Sequence, residues 1–84
     1  MQRYYFHVHD GSAQPDAEGL GLPSRDAAWS EAVRSCGEML RDIDGEFGRN
    51  TEWRMEVVDG LGQPVFTLRF VGQEHAPITA ANSN

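Results

Sequence analysis

The sequence predicts a two-layer α+β domain: an antiparallel sheet with one helix packed on one face, in the order β-β-α-β-β. Three observations lead there. Residues 24–44 read S-R-D-A-A-W-S-E-A-V-R-S-C-G-E-M-L-R-D-I-D, and Trp29, Ala32, Val33, Cys36, Leu40 and Ile43 fall on one stripe at helical spacing. Residues 3–9, 53–58 and 65–71 alternate side chains with the period of a strand. Asp10-Gly11 and Asp59-Gly60-Leu61-Gly62 end two of these runs with turn chemistry. A single amphipathic helix is not stable alone, so its stripe is expected to lie on the sheet that its flanks form.

Each element has a local reason. In the first strand, Tyr4, Phe6 and Val8 form the more apolar face and are expected to meet the helix, leaving Tyr5, His7 and His9 opposite. Residues 12–17 are polar, contain Pro15 and read as loop. Leu20 and Leu22 alternate with glycines, which suits a short edge strand that Pro23 ends. Ser24 is a natural N-cap, and Asp26 places a negative charge in the first turn, where the helix dipole favours it. Arg25, Glu31, Arg34, Ser35, Glu38 and Asp42 form the outer face of the helix. Gly37 lies inside the helix, and close approach of helix and sheet is the expected reason for it. Asp44-Gly45 supplies a C-terminal stop. Residues 46–51 read as a turn-rich connector, with Phe47 folding back onto the core.

The last two strands form a hairpin. Trp53, Met55 and Val57 face the core in one, and Phe66, Leu68 and Phe70 in the other. Asp59 followed by Gly62 fits a type I turn closed by a left-handed residue. Periodicity stops after residue 71. The expected organisation is therefore one domain over residues 1–71 and a flexible tail over 72–84.

Composition narrows the function classes. Eighty-four residues allow one small core, and 39% hydrophobic content is too high for a disordered chain. The formal net charge is −6 and Lys is absent. That balance argues against nucleic acid and anionic membrane surfaces, which require clustered basic residues. A lone cysteine, Cys36, rules out an internal disulfide and reads as a small core residue. No apolar run reaches the length of a membrane span, and residues 1–10 lack a signal-peptide core. A cytoplasmic location is expected.

Several segments together carry a resemblance. They are R-Y-Y-F-H-V-H-D-G at 3–11, E-G at 18–19, L-P at 22–23, G-E-M-L-R-D at 37–42 and W-R-M-E-V-V-D-G-L-G-Q-P-V-F-T-L-R-F at 53–70. In these the chain resembles a family of small uncharacterised bacterial proteins, frequent in alphaproteobacteria such as rhizobia. That resemblance implies a fold class and no activity. A looser similarity is to antitoxins of the HicB type, whose small domain also runs from strands through a short loop into an Ala/Glu-rich helix and back to a strand.

Candidate chemistry is sparse. His7 and His9 stand two apart on one strand face and, with Asp10, are the candidate metal ligands. No third ligand has diagnostic spacing, so two exposed polar residues is the preferred reading, and no metal, cofactor or catalytic residue is expected. Gly19–Pro23 lacks the spacing of a phosphate loop, and no Ser-His-Asp set emerges. The face away from the helix remains: Tyr5, His7, His9, Arg54, Glu56, Val58, Val65, Thr67 and Arg69. These residue types suit a protein–protein surface. The expectation is a non-enzymatic interaction or regulatory module that meets another protein or a second copy of itself as a homodimer. A metal-dependent enzyme using His7, His9 and Asp10 is the alternative, and nucleic-acid binding through the open face is third.

Overall fold

The computed structural model describes residues 1–11, 13–42 and 51–77. Five strands and one helix follow in the order β1 (Gln2–His9), β2 (Ala13–Gln14), β3 (Leu20–Leu22), α1 (Arg25–Asp42), β4 (Glu52–Val58) and β5 (Pro64–Val71). The α+β class and the antiparallel sheet agree with expectation. Within the loop expected over residues 12–17, Ala13 and Gln14 instead pair with β1 as a short fifth strand.

All pairings are antiparallel. β4 lies on one side of β1 and β5 lies outside β4. On the other side of β1, β3 pairs with Gln2–Tyr4 and β2 pairs with Val8–His9. The β4–β5 turn is closed as its composition predicts. Gly62 N–H donates to the Asp59 carbonyl at 3.0 Å with Gly62 at φ +80°, and Asp59 Oδ1 accepts from the backbone of Leu61 and Gln63. A register shift at Val57/Val58 follows, so Val58 opposes Pro64 and Val57 opposes Phe66.

The helix starts where the sequence places it. Ser24 Oγ accepts from Ala27 N–H at 3.1 Å as its N-cap. Its buried stripe, however, is Ala28, Ala32 and Cys36. These small side chains lie over Tyr4, Val8, Trp53, Met55 and Val57, which complete the buried core. Phe6, Leu22, Leu40, Phe66 and Leu68 pack around its margin.

Three residues expected in the core lie outside it. Trp29 and Val33 are 46% and 47% exposed, and Phe70 is 42% exposed. For the two helix residues the physical reason is volume. Ala28, Ala32 and Cys36 allow close approach, and the bulky indole one position away is displaced to the flank, where it meets Phe66 edge-on at 5.1 Å between centroids. Ile43, the Asp44-Gly45 stop and Phe47 lie outside the described residues. Val65, expected on the open face, is the extra residue at the register shift and packs against the core instead.

Gly37 corrects another expectation. It is exposed, and a Cβ there would meet nothing within 4 Å. Close approach is therefore not the reason for a glycine at this position. Gly37→Ala should raise stability by about 0.5–1 kcal/mol, the helix-propensity difference alone. Urea denaturation of both proteins measures it, and a destabilised variant would show a steric role for the glycine.

Candidate interaction surface

The face of the sheet away from α1 carries Tyr5, His7 and His9 from β1, Arg54, Glu56 and Val58 from β4, and Thr67 and Arg69 from β5. The register sets Tyr5 opposite Val58, His7 opposite Glu56, His9 opposite Arg54, Arg54 opposite Arg69, and Glu56 opposite Thr67. Of the expected surface, only Val65 is missing from this grouping.

Most of its polar groups are already engaged. His9 Nε2 lies 3.3 Å from Glu56 Oε1. Glu52 accepts from Arg69 Nε and Nη2 at 3.2 and 3.3 Å, which draws Arg69 away from the like charge of Arg54. The rings of Tyr5 and His7 stack, with centroids 6.4 Å apart. Arg54 is the exception: its Nε is buried and has no hydrogen-bond partner among the described residues.

The metal candidates do not converge. His7 Nδ1 accepts from Asp16 N–H at 3.0 Å, so that nitrogen is occupied. Asp10 accepts from the Gln14 amide at 3.1 and 3.0 Å. Among the described residues no group of three or more His, Cys, Asp or Glu side chains is placed to hold a metal ion. Cys36 is buried against Met55, its Sγ 3.7 Å from the Met55 sulfur, and burial pushes its thiol up, away from the reactive thiolate. A cleft of about 300 Å³ opens at the helix N-terminus beside Ser24, Arg25 and Asp59. Ser24 and Asp59 are committed there to the helix cap and the β4–β5 turn.

Asp16 holds the outer edge of β1 together. Tyr4 pairs with Leu20 of β3 and Val8 with Gln14 of β2, which leaves Phe6 in the gap between the two short strands. Asp16 Oδ2 accepts from Phe6 N–H at 3.2 Å, and its Oδ1 accepts from the N–H groups of Glu18 and Gly19 at 3.1 Å each. One carboxylate thus replaces a missing strand carbonyl. Gly19 has φ +70°, and a Cβ there would stand 2.8 Å from the Tyr4 carbonyl and from the Tyr5 ring. The turn therefore requires glycine. Sequence reasoning missed this bridging role of Asp16. The available signal was an Asp three residues before a Gly in a short loop.

Met1, Leu20, Met39 and Leu61 are accessible apolar side chains, and a further accessible apolar group lies beside β5. Trp29, which meets Phe66 of β5, and Val33, one turn further along α1, are both about half exposed. Phe66 lies between the Trp29 ring and the Arg25 guanidinium, which sits 5.5 Å from its centroid. Phe70, on the same face of β5, packs edge-on against Trp53, while Val71, 62% exposed, alternates to the open face with Arg69. Helix flank and strand together make an apolar margin beside a sheet edge.

Residues 3–81 match the family described as a domain of unknown function (DUF6894). The chain belongs to that family. Its uncharacterised status agrees with the resemblance read from the sequence. No curated protein matches the chain, and no solved structure matches it. Among the described residues of this DUF6894 domain, no helix is long and apolar enough to cross a membrane.

Asp16 can be tested directly. Burial pushes its carboxyl up, but hydrogen bonds from Gly19, Phe6 and Glu18, with His7 nearby, outweigh burial and hold it below the ordinary carboxylate value. A carboxyl lowered in the folded state adds stability that is fully present above its unfolded value, about 3.9, and is lost as pH falls through the folded value. In Asp16→Asn an amide N–H₂ faces a backbone donor, so the variant should be less stable by about 1–3 kcal/mol at neutral pH. The gap between the two proteins should close as pH falls below about 4. Glu31 is also lowered, chiefly by its hydrogen bond from Arg34, but it is common to both proteins and drops out of the difference. Denaturation at several pH values gives the answer, and a gap constant down to acid pH would remove the carboxylate from the account.

Proposed function

We propose that this domain is a non-catalytic protein–protein interaction module, located in the cytoplasm, whose contact surface is the β5 margin. One observation carries the reading. Trp29, Val33 and Phe70 are large apolar side chains left accessible beside a strand whose outer edge is unpaired among the described residues. Accessible apolar groups gathered next to an open strand edge favour binding of another chain, because backbone hydrogen bonds and apolar burial are gained together.

A second reading keeps the open face of the sheet. It rests on Arg54, whose buried Nε lacks an acceptor that a carboxylate of a partner would supply.

Photo-crosslinking in the native cell separates the two. A photoreactive residue at Val33 or Phe70 should give discrete adducts, and one at Glu56 should give few. Adducts concentrated at Glu56 would move the surface to the open face. Adducts at none of the three would contradict an interaction module.

A further inference from the structure

We propose that the partner on this margin is a second copy of the chain, paired antiparallel along β5 about a two-fold axis perpendicular to the sheet. This rests on the preceding reading that the β5 margin is a contact surface. The phase of the ladder sets what β5 offers. Gly72 N–H donates to the Thr51 carbonyl at 2.8 Å, which makes their pair a hydrogen-bonded one. Alternation along the register then turns the backbone groups of Phe66, Leu68 and Phe70 toward β4. Those of Thr67, Arg69 and Val71 point outward, along an eight-residue strand. The opposite sheet edge offers no such row, because β3, Asp16 and β2 occupy the outer side of β1.

Self-pairing is restricted by geometry. A perpendicular two-fold keeps the two faces of the sheet, so residues can oppose only residues of the same face. Centring on Arg69 would bring two guanidiniums face to face. Centring on Thr67 would set Val65 against Arg69 and Phe70 against Pro64. Centring on Leu68 avoids both: Leu68 meets itself, Phe66 meets Phe70 of the second copy, and Thr67 meets Arg69. Aromatic pairs of this kind stabilise neighbouring strands.

Charge and shape agree with that register. Arg69 is the one charged residue on β5, in a chain of formal net charge −6, so two acidic molecules would approach along a segment free of carboxylates. Glu52 already holds the Arg69 charge. Both helices would lie on one side of a continuous sheet, their Trp29 and Val33 flanks facing each other across a doubled strip of Phe66, Leu68 and Phe70. Trp29, Val33 and Phe70, accessible in one copy, would be covered in the pair.

Sedimentation equilibrium of the full chain from micromolar to millimolar concentration tests the proposal, with Thr67→Pro beside wild type. The Thr67 N–H points away from β4, and proline is tolerated where an edge N–H faces outward, so the variant should keep its fold. Its far-ultraviolet circular dichroism checks this. Wild type should dimerise, and Thr67→Pro should weaken association about tenfold or more, the scale of one or two lost edge hydrogen bonds. Leu68→Cys then reads the register. Two such residues across the axis form a non-hydrogen-bonded pair with Cα atoms about 4.5 Å apart, within disulfide range. Mild oxidation should link two Leu68→Cys chains and leave Thr67→Cys chains unlinked. A wild-type monomer at millimolar concentration, or a dimer that folded Thr67→Pro leaves intact, overturns the proposal. Linkage through Thr67→Cys instead overturns the register. If the protein is monomeric and the cellular adducts at Val33 and Phe70 contain another protein, the contact surface stands and the second copy falls.

Discussion

The close fit of Ala28, Ala32 and Cys36 against the sheet governs the rest of the structure. These side chains bring α1 close, and Trp53, Met55 and Val57 fill the layer beneath it. Large groups from the sheet interlock with small groups from the helix, which is how a domain of this size reaches interior packing density. The same fit fixes the helix rotation. Once the small stripe faces down, Trp29 and Val33 can only lie on a flank, and that flank faces β5. The packing that builds the core also leaves the margin accessible.

The two sheet edges are treated in opposite ways. On the outer side of β1, two short strands and a carboxylate satisfy the backbone, and the Asp16–Gly19 turn wraps Tyr5 and His7. Short, interrupted edge strands resist further pairing. On the other side, β5 is long, carries a single charge and bears no cover among the described residues. Asymmetry of this kind leaves β5 as the edge open to the proposed association. It also places the apolar helix flank beside that edge, so in the proposed contact backbone pairing and side-chain burial would act on the same partner.

The order of elements was legible because periodicity and turn chemistry are local. The Ser24 cap, the Asp59–Gly62 turn and the alternation of β1, β4 and β5 each depend on a few adjacent residues. Helix rotation was not legible in the same way. Trp29 and Val33 belong to a periodic apolar stripe, and only the volume available above the sheet decides that Ala28 goes beneath the helix in their place. Phe70 was read correctly for its face but not for its burial, because alternation says nothing about how far along a strand the helix reaches. Val65 changed face through a one-residue register shift that the pattern does not encode. Asp16 was passed over since a side chain standing in for a strand carbonyl has no period at all. Alternation placed the expected open-face residues together apart from Val65, and beside the His9–Glu56 and Arg69–Glu52 pairs the Arg54 Nε is buried without a hydrogen-bond partner among the described residues.

The central claim is that helix rotation divides the two tryptophans of the chain, shielding Trp53 and leaving Trp29 at the margin. Fluorine NMR of protein labelled with 5-fluorotryptophan tests this most directly, with Trp29→Phe used to assign the two resonances. In dilute protein, the Trp29 resonance should show a clear solvent isotope shift between H₂O and D₂O and strong relaxation by a soluble paramagnetic gadolinium chelate. The Trp53 resonance should show neither. Equal responses from the two, or a Trp29 shielded as fully as Trp53 in dilute protein, would contradict the account.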